Sequence, residues 1–317
     1  MFATNKSDPL RIVFFGSGQF AIPALEALAK GPDKLVLVVS SPPAPSGRGR
    51  TITPTPVSTA ARKMSFPVLE TESVNSFDTL EAIERARPDQ LVVASFRGFL
   101  GSKLLETGFT PPLNIHPSLL PKHRGPAPVN WTLIEGDELC GVSVCFMELK
   151  IDSGPVVAQK SLPIPEGIGA GALEAILAQE GATLLLDSIA KLKTDTLQSK
   201  PQNEQQSTIN RLMTKKDGRI DFSRPARQLA NLINGVDPWP GAQVTAEGKI
   251  FKLYGARAWE GAGTPGQILG LSPESRLKVG TAEGILTIDE LQPEGRIRLS
   301  ASEFIQGYRF TAFDSSI

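Results

Sequence analysis

The strongest constraint on the fold is a set of short β-branched segments that alternate with helical segments early in the chain. Residues 11–15 (RIVFF), 35–39 (LVLVV) and 91–95 (LVVAS) are apolar runs of the length and composition of buried strands. Helical segments are predicted near 19–30 and 76–87, between these runs. Strands that alternate with helices favour a parallel sheet with helices on both faces. The first part of the chain is therefore predicted to be an α/β domain.

The composition changes in the last third of the chain. Residues 195–208 are polar, rich in glutamine and almost free of large apolar side chains, so they predict a linker. Beyond the linker a helix is predicted near 224–235, and short apolar stretches separated by Gly, Pro or charged turns indicate a small β-barrel or sandwich. These stretches are residues 242–246, 250–254, 266–271, 276–280 and 285–289. The predicted first domain, linker and second domain are residues 1–194, 195–208 and 209–317.

Overall composition excludes several classes of protein. The 317 residues are 40% hydrophobic and 21% charged with a formal net charge of zero, so no global field attracts nucleic acid, and a polyanion would need a local basic patch. No window approaches 18 apolar residues, so no membrane span is predicted. The two cysteines, Cys140 and Cys145, provide no disulfide framework and are typical of a reducing compartment. We expect a cytoplasmic enzyme.

Three polar residues form a candidate catalytic set: Asn114, His116 and Asp152. If Asn114 and His116 end a strand, their i, i+2 spacing directs both side chains to the same side. An imidazole beside an amide donor, with a carboxylate to orient it, suits a carbonyl that becomes an oxyanion, which predicts acyl transfer. The alternatives are that His116 is a satisfied polar residue at a strand end and that Asp152 is a turn residue. The other histidine, His123, is expected at the surface because Lys122 and Arg124 flank it.

A glycine pattern in the first strand–helix turn could indicate a dinucleotide site. Residues 16–21 (GSGQFA) match G-x-G-x-x-G/A. The acidic residue that such a site needs after the next strand is missing, because that strand ends in Ser40-Ser41-Pro42 and Asp33 precedes it. A tight turn that lets the helix pack on the sheet is favoured, and a nicotinamide dehydrogenase is the alternative.

Two basic segments could meet a polyanion. Residues 42–56 contain Arg48 and Arg50 and no acidic residue, and they leave the carboxyl end of a strand. Arginines there could hold the phosphates of a substrate whose reactive end lies at His116, although solvated charges on a surface loop are the alternative. A second cluster opens the C-terminal part of the chain and consists of Arg211, Lys215, Lys216 and Arg219.

Several motifs resemble the folate-dependent formyltransferases. The shared signature is found in residues 114–121 (NIHPSLLP), in Arg124-Gly125 and in residues 152–155 (DSGP). Residues 46–57 resemble the inserted loop of the tRNA-acting branch of this family, which contacts the acceptor arm. Residues 217–222 (DGRIDF) and 237–242 (DPWPGA) resemble the second domain of that branch.

The resemblance implies a Rossmann-like catalytic domain, a linker and an OB-like β-barrel that helps to hold tRNA. The implied reaction passes a formyl group from 10-formyltetrahydrofolate to the α-amino group of methionyl initiator tRNA by direct amine attack, without a metal. The expected roles are catalysis for Asn114, His116 and Asp152, folate binding for Ser118, Leu119, Leu120 and Pro121, and tRNA binding for Arg48, Arg50, Lys215 and Lys216. A monomer is expected. The alternatives are a formyltransferase for a sugar nucleotide or a purine precursor, and a formyl-folate hydrolase.

Overall fold

The computed structural model describes residues 9–46 and 51–314. Two compact units divide the chain, and neither is one continuous stretch. The first unit takes in the described residues of Met1–Gly125, Gly141–Ser161 and Glu174–Ile209, and the second those of Pro126–Cys140, Leu162–Leu173 and Asn210–Ile317. The division into residues 1–194, 195–208 and 209–317 stays a prediction.

The early part of the chain alternates strands and helices, as predicted. Its strands are β1 (Arg11–Gly16), β2 (Lys34–Ser40), β3 (Ala44–Ser46), β4 (Thr51–Thr53), β5 (Val68–Glu70), β6 (Gln90–Ala94), β7 (Leu113–His116), β8 (Leu139–Phe146) and β9 (Val156–Pro163). Its helices are α1 (Ile22–Lys30), α2 (Pro56–Lys63), α3 (Phe77–Ala86), α4 (Ser102–Leu105), α5 (Pro128–Glu135) and α6 (Ala170–Lys193).

Seven of these strands form one sheet in the order β5-β2-β1-β6-β7-β8-β9. The pairs from β5 to β7 are parallel, and β8 runs antiparallel to β7. The interior strand β1 is fully buried at Val13, Phe14 and Phe15, as expected of a sheet covered on both faces. The prediction of an α/β fold with a mainly parallel, Rossmann-like sheet is confirmed.

Local signals explain where helices begin. Thr55 caps α2, since its hydroxyl oxygen accepts a hydrogen bond from the backbone N–H of Ser58 at 3.0 Å, and Pro56 occupies the first helical position. Ser76 caps α3 in the same way through the N–H of Thr79. Among the described residues, the helices are all too short or too polar to cross a membrane.

The second unit contains a separate antiparallel sheet. After α7 (Ala226–Gly235) come β10 (Ala242–Ala246), β11 (Lys249–Trp259), β12 (Ile268–Leu271), β13 (Leu277–Gly280), β14 (Ile285–Pro293), β15 (Leu299–Ser300) and α8 (Ala301–Gly307). The strand order is β10-β11-β14-β13-β12, with β15 paired to β14. Phe222, Phe251 and Phe304 are buried in its hydrophobic core. A distinct β-rich C-terminal part is therefore confirmed.

The polar segment predicted as a linker contributes hydrogen bonds to the first unit. Lys200 pairs with Val156 through two backbone hydrogen bonds of 2.8 Å each. A short 3-10 helix follows at Glu204–Gln206. Thr208 then bonds to the backbone of Pro121 and Arg124 at 3.3 and 2.9 Å. The segment thus lies against two loops that carry predicted site residues.

Candidate active site

The candidate site lies at the carboxyl end of β7, beside the carboxyl end of its parallel neighbour β6. Asn114 and His116 are on this short strand, with exposed fractions of 9% and 5%. Asp152 lies in the turn between β8 and β9, and its φ of +49° is in the left-handed region that aspartate tolerates better than most residues. Ligands of parallel sheets bind beyond the carboxyl ends of strands, so the three residues are well placed for chemistry.

The structure brings the three predicted residues together around one carboxylate. Asp152 Oδ2 lies 3.5 Å from His116 Nδ1. Asn114 Nδ2 donates a long hydrogen bond of 3.4 Å to Asp152 Oδ1. The backbone N–H of Gly125 donates to Asp152 Oδ2 at 2.8 Å, which fixes the carboxylate from another side. The catalytic roles of the three residues stay a prediction.

The second imidazole nitrogen of His116, Nε2, contacts a backbone carbonyl that the sequence does not predict. His116 Nε2 lies 2.8 Å from the carbonyl oxygen of His123. A carbonyl oxygen only accepts, so Nε2 carries a proton and Nδ1 faces Asp152. Both ring nitrogens therefore face protein oxygens.

The expectation that His123 lies at the surface is wrong. Its exposed fraction is 2%, and that of Arg124 is 0%. The flanking cations misled the prediction, because His123 occupies a turn with a φ of +58° whose backbone carbonyl is turned toward His116. The neighbouring Arg124 is buried by polar partners from the predicted linker.

The buried Arg124 guanidinium belongs to a network of ion pairs. Its Nη2 lies 2.7 Å from Glu204 Oε1, and Lys150 Nζ lies 2.7 Å from Glu204 Oε2. Hydrogen bonds from Arg124 and then Lys150 lower the pKa of the Glu204 carboxyl to about 2. The Glu204 carboxyl is thus ionised at neutral pH, and its negative charge balances the positive charge of the buried Arg124 guanidinium. Neither Arg124 nor Glu204 was predicted as a site residue, since a salt bridge to a distant polar segment leaves no sequence signal.

The four predicted folate residues form a loop that Ser143 and Gln159 hold in place. The Ser143 hydroxyl donates to the Ser118 carbonyl at 2.6 Å and accepts from the Leu120 N–H at 3.2 Å. Gln159 Nε2 donates to Ser143 Oγ at 2.8 Å and to the Leu120 carbonyl at 3.0 Å. The side chains of Ser118 and Leu120 are buried, whereas Leu119 and Pro121 are half-buried.

The glycine pattern of the first turn is a tight turn. The backbone N–H groups of Ser17 and Gly18 donate to the Ser95 carbonyl at 3.1 and 3.2 Å, so they are not directed at a phosphate. A Cβ on Gly18 would collide with the Ser95 side chain. The Ser17 hydroxyl lies 3.0 Å from that of Ser41, where a dinucleotide site would need an acid.

The predicted tRNA-binding residues fall into two groups. Arg48 and Arg50 lie outside the described residues. Lys215 and Lys216 are exposed on a 3-10 turn of the second unit, whose capping box is formed by Thr214 and Asp217. Arg211 pairs with Asp217 and stacks on the Trp131 ring at 4.7 Å, so of this cluster the two lysines are the better candidates for a polyanion.

Comparison with known proteins defines the class. Residues 10–189 match the model of the formyl transferase family, and residues 212–309 match that of the formyl transferase C-terminal domain. A methionyl-tRNA formyltransferase of Pelobacter propionicus is 38% identical over 93% of this chain and 92% of its own. That of Desulfotalea psychrophila is 37% identical over 97% of this chain and 96% of its own. The chain belongs to the formyl transferase family.

Solved structures with the same fold include WlaRD, a sugar 3N-formyl transferase, with a TM-score of 0.67 and 14% identity over 91% of this chain and 99% of that one. HypX from Aquifex aeolicus, in complex with tetrahydrofolic acid, has a TM-score of 0.62 and 19% identity over 94% of this chain. The match spans only 47% of the HypX chain. At these identities the likeness shows the fold alone.

Proposed function

We propose that this protein transfers the formyl group of 10-formyltetrahydrofolate to the α-amino group of methionyl initiator tRNA, for translation initiation. The observation that carries the proposal is the cluster at the end of β7, in which the Asp152 carboxylate lies within 3.5 Å of both the Asn114 amide and the His116 imidazole. Near-full-length relatives named methionyl-tRNA formyltransferase support the choice of acceptor.

The loop of residues 118–121 suits a flat, partly apolar donor. Ser118 and Leu120 turn inward and anchor the loop, so Leu119 and Pro121 are the side chains that would contact the folate ring. The anchoring bonds from Ser143 and Gln159 fix the loop before any ligand arrives, which lowers the entropic cost of binding. When bound, 10-formyltetrahydrofolate supplies the formyl group.

In the proposed mechanism, Asn114 stabilises the oxyanion and the His116–Asp152 pair transfers the proton. The Asn114 amide donates to the formyl oxygen as negative charge develops there, an interaction of a kind that stabilises a transition state by about 3–4 kcal/mol. The attacking amine forms the new C–N bond, and the pair takes the proton that the amine loses. The same proton goes to the folate nitrogen as its bond to the formyl carbon breaks. Such proton transfer typically contributes about 10²–10⁴-fold.

For the tRNA, we propose that Lys215 and Lys216 on the second unit, and Arg48 and Arg50, which precede α2 in the sequence, contact phosphates. The exposure of both lysines supports their part. We further propose that the second unit is an OB-like barrel. The 11-residue β11 pairs with both β10 and β14, and the pairing of β12 with β13 shifts register between Ile268 and Leu271; both features support a curved sheet.

The proposal includes a monomer in the cytoplasm, and the free, buried Cys140 and Cys145 support a reducing compartment. The alternatives of a sugar-nucleotide or purine-precursor formyltransferase are disfavoured, because relatives that are 37–38% identical over nearly the full length are named methionyl-tRNA formyltransferase. A formyl-folate hydrolase would use water in place of the amine.

An acceptor comparison tests the proposal. Purified protein is incubated with 10-formyltetrahydrofolate and, in parallel, methionyl-tRNA, uncharged tRNA, a dTDP-amino sugar or glycinamide ribonucleotide. We expect formyl-methionyl-tRNA and no formylated sugar or ribonucleotide. Formylation of either small acceptor at a higher kcat/KM than methionyl-tRNA, or release of formate alone, would reject the proposed acceptor.

A further inference from the structure

We propose that Gln202 is a positioning residue that holds the Asp152 turn in its working geometry, together with the buried Arg124 and its partner Glu204. The inference rests on the proposed function, in which Asp152 orients His116. It assigns a part in the reaction to residues 200–208, whose sequence predicts only a linker.

The amide of Gln202 uses all of its hydrogen-bonding capacity on this task. Its Nε2 donates to the backbone carbonyls of Asp152 and Gly154, each at 2.7 Å. Its Oε1 accepts from Arg124 Nε and Nη2 at 3.0 and 2.9 Å. A primary amide has two N–H donors and two acceptor lone pairs, so every one is matched. This pattern of partners also fixes which end of the amide is nitrogen.

The acceptor side of Gln202 is fixed by a buried charge. The Arg124 side chain is 1% exposed, while that of its ionic partner Glu204 is 55% exposed. Arg124 Nη1 and Nη2 donate to the two oxygens of Glu204 at 3.2 and 2.7 Å, a fork-shaped bidentate pair. Because a buried guanidinium without its partners is strongly destabilising, Arg124 cannot easily leave this position. Gln202 is therefore tied to a rigid point.

The donor side of Gln202 acts on a turn that needs support. Asp152 has a φ of +49°, which costs energy for a residue with a side chain. Two residues on, a Cβ at Gly154 would collide with the Phe146 carbonyl, so the turn lies tightly against the end of β8. The two bonds from Gln202 hold the backbone on either side of Ser153. They keep the Asp152 carboxylate at 3.5 Å from His116 Nδ1.

The same segment also secures the other oxygen that faces His116. Thr208 Oγ1 accepts from the His123 backbone N–H at 2.8 Å, and the Thr208 carbonyl accepts from the Arg124 N–H at 2.9 Å. The His123 carbonyl, which accepts from His116 Nε2, is thus held from the segment that holds Asp152. Residues 200–208 fix both partners of the imidazole.

The variant Gln202→Glu separates positioning from packing. Glutamate has the same shape and still accepts from Arg124, but it loses the two N–H donors and places an oxygen against the carbonyls of Asp152 and Gly154. The control is Gln205→Glu, which makes the same charge change at an exposed position in the same segment. We expect kcat for formyl transfer to fall by about 10–100-fold in Gln202→Glu, with both KM values within about threefold, since misplacement by about 1 Å can cost 10²-fold. We expect Gln205→Glu to keep the wild-type kcat.

A second readout does not depend on activity. The chain has only 2 histidines, so the ring ¹⁵N signals of His116 can be assigned by NMR in the protein without substrates. We expect them to shift in Gln202→Glu and to stay in place in Gln205→Glu. An unchanged kcat or unchanged His116 signals in Gln202→Glu would overturn the inference. If Gln202→Glu does not fold, Gln202→Met takes its place with the same expected outcomes. If wild-type protein formylates no methionyl-tRNA, the proposed function fails, and the NMR signals alone decide whether Gln202 positions Asp152.

Discussion

The His116 imidazole lies between two protein oxygens, the carboxylate of Asp152 and the carbonyl of His123. This position suits the proton transfer that we propose for the His116–Asp152 pair. The Asp152 carboxylate faces Nδ1 of the ring, and the His123 carbonyl fixes a proton on Nε2. In the proposed mechanism, Asn114 adds the neutral donor that an oxyanion needs.

Cys145 lies next to this site but is not a candidate nucleophile. Burial raises the pKa of the Cys145 thiol, and the nearby Asp152 carboxylate raises it further. Since the thiolate is the reactive form, we expect Cys145 to resist thiol reagents at about pH 8 in the native protein. Mass spectrometry after labelling should show reaction at Cys145 only once the protein is unfolded in denaturant. Rapid labelling of native Cys145 would contradict its burial.

The ion pair of Glu204 makes part of the stability depend on pH. Arg124 and then Lys150 lower the pKa of the Glu204 carboxyl from 4.5 to about 2. The ionised carboxylate therefore stabilises the folded state at pH values above 4.5, and this stabilisation is lost as the pH falls toward 2. We expect Glu204→Gln to lower the denaturation midpoint at neutral pH. The difference from wild type should shrink as the pH falls from about 4.5 toward 2. A difference that does not change with pH would show that the charge of Glu204 is not involved.

At the scale of single elements, the end of β7 and the loop that follows it pack against β8 and β9. Gly141 on β8 lies where a Cβ would collide with both the Leu119 side chain and the Lys160 backbone carbonyl. The close approach of this strand to its neighbours sets the position of the proposed folate loop.

We expect Gly141→Ala to destabilise the protein by about 1–3 kcal/mol, the usual cost of an added group in a packed core, and to raise KM for the folate more than KM for the tRNA. Denaturant unfolding and steady-state kinetics measure the two effects. The control is Gly307→Ala, where a Cβ meets open space. If Gly141→Ala has the stability and the folate KM of the wild type, the strands can make room for the added methyl group without cost, and the prediction is wrong.

The basic elements are expected to act on the tRNA alone. Reversing the charge of Lys215, of Lys216 or of Arg48, each in a separate variant, should raise KM for methionyl-tRNA far more than KM for the folate and reduce its dependence on salt. The exposed Lys249 of the second unit serves as the charge-matched control. Equal effects on the two KM values would reject the assignment of these residues to tRNA.

At the scale of the whole molecule, some features could be predicted from the sequence and others could not. The parallel strands were predictable because long β-branched runs such as residues 35–39 have few other stable arrangements. The gathering of Asn114, His116 and Asp152 was predictable from strand-end spacing together with family motifs. Helix α6 and strands β8 and β9 were not predicted. Two residues of the proposed positioning system, Gln202 and Glu204, lie in the segment whose composition predicts a linker.

The reason is physical: a polar composition shows that a segment cannot form a hydrophobic core. It does not show that polar side chains such as Gln202 and Glu204 will saturate a buried guanidinium far away in sequence. Backbone direction is equally hidden, as the buried carbonyl of His123 shows.

The most direct test of the central claim is a single-turnover experiment with labelled formyl-folate and methionyl-tRNA, comparing wild type with His116→Ala and Asp152→Asn. We predict that wild-type protein places the label on the methionine amine. Both variants should keep their fold by circular dichroism while the rate constant of transfer falls by about 10²–10⁴-fold. Transfer at the wild-type rate in folded His116→Ala and Asp152→Asn would contradict the account.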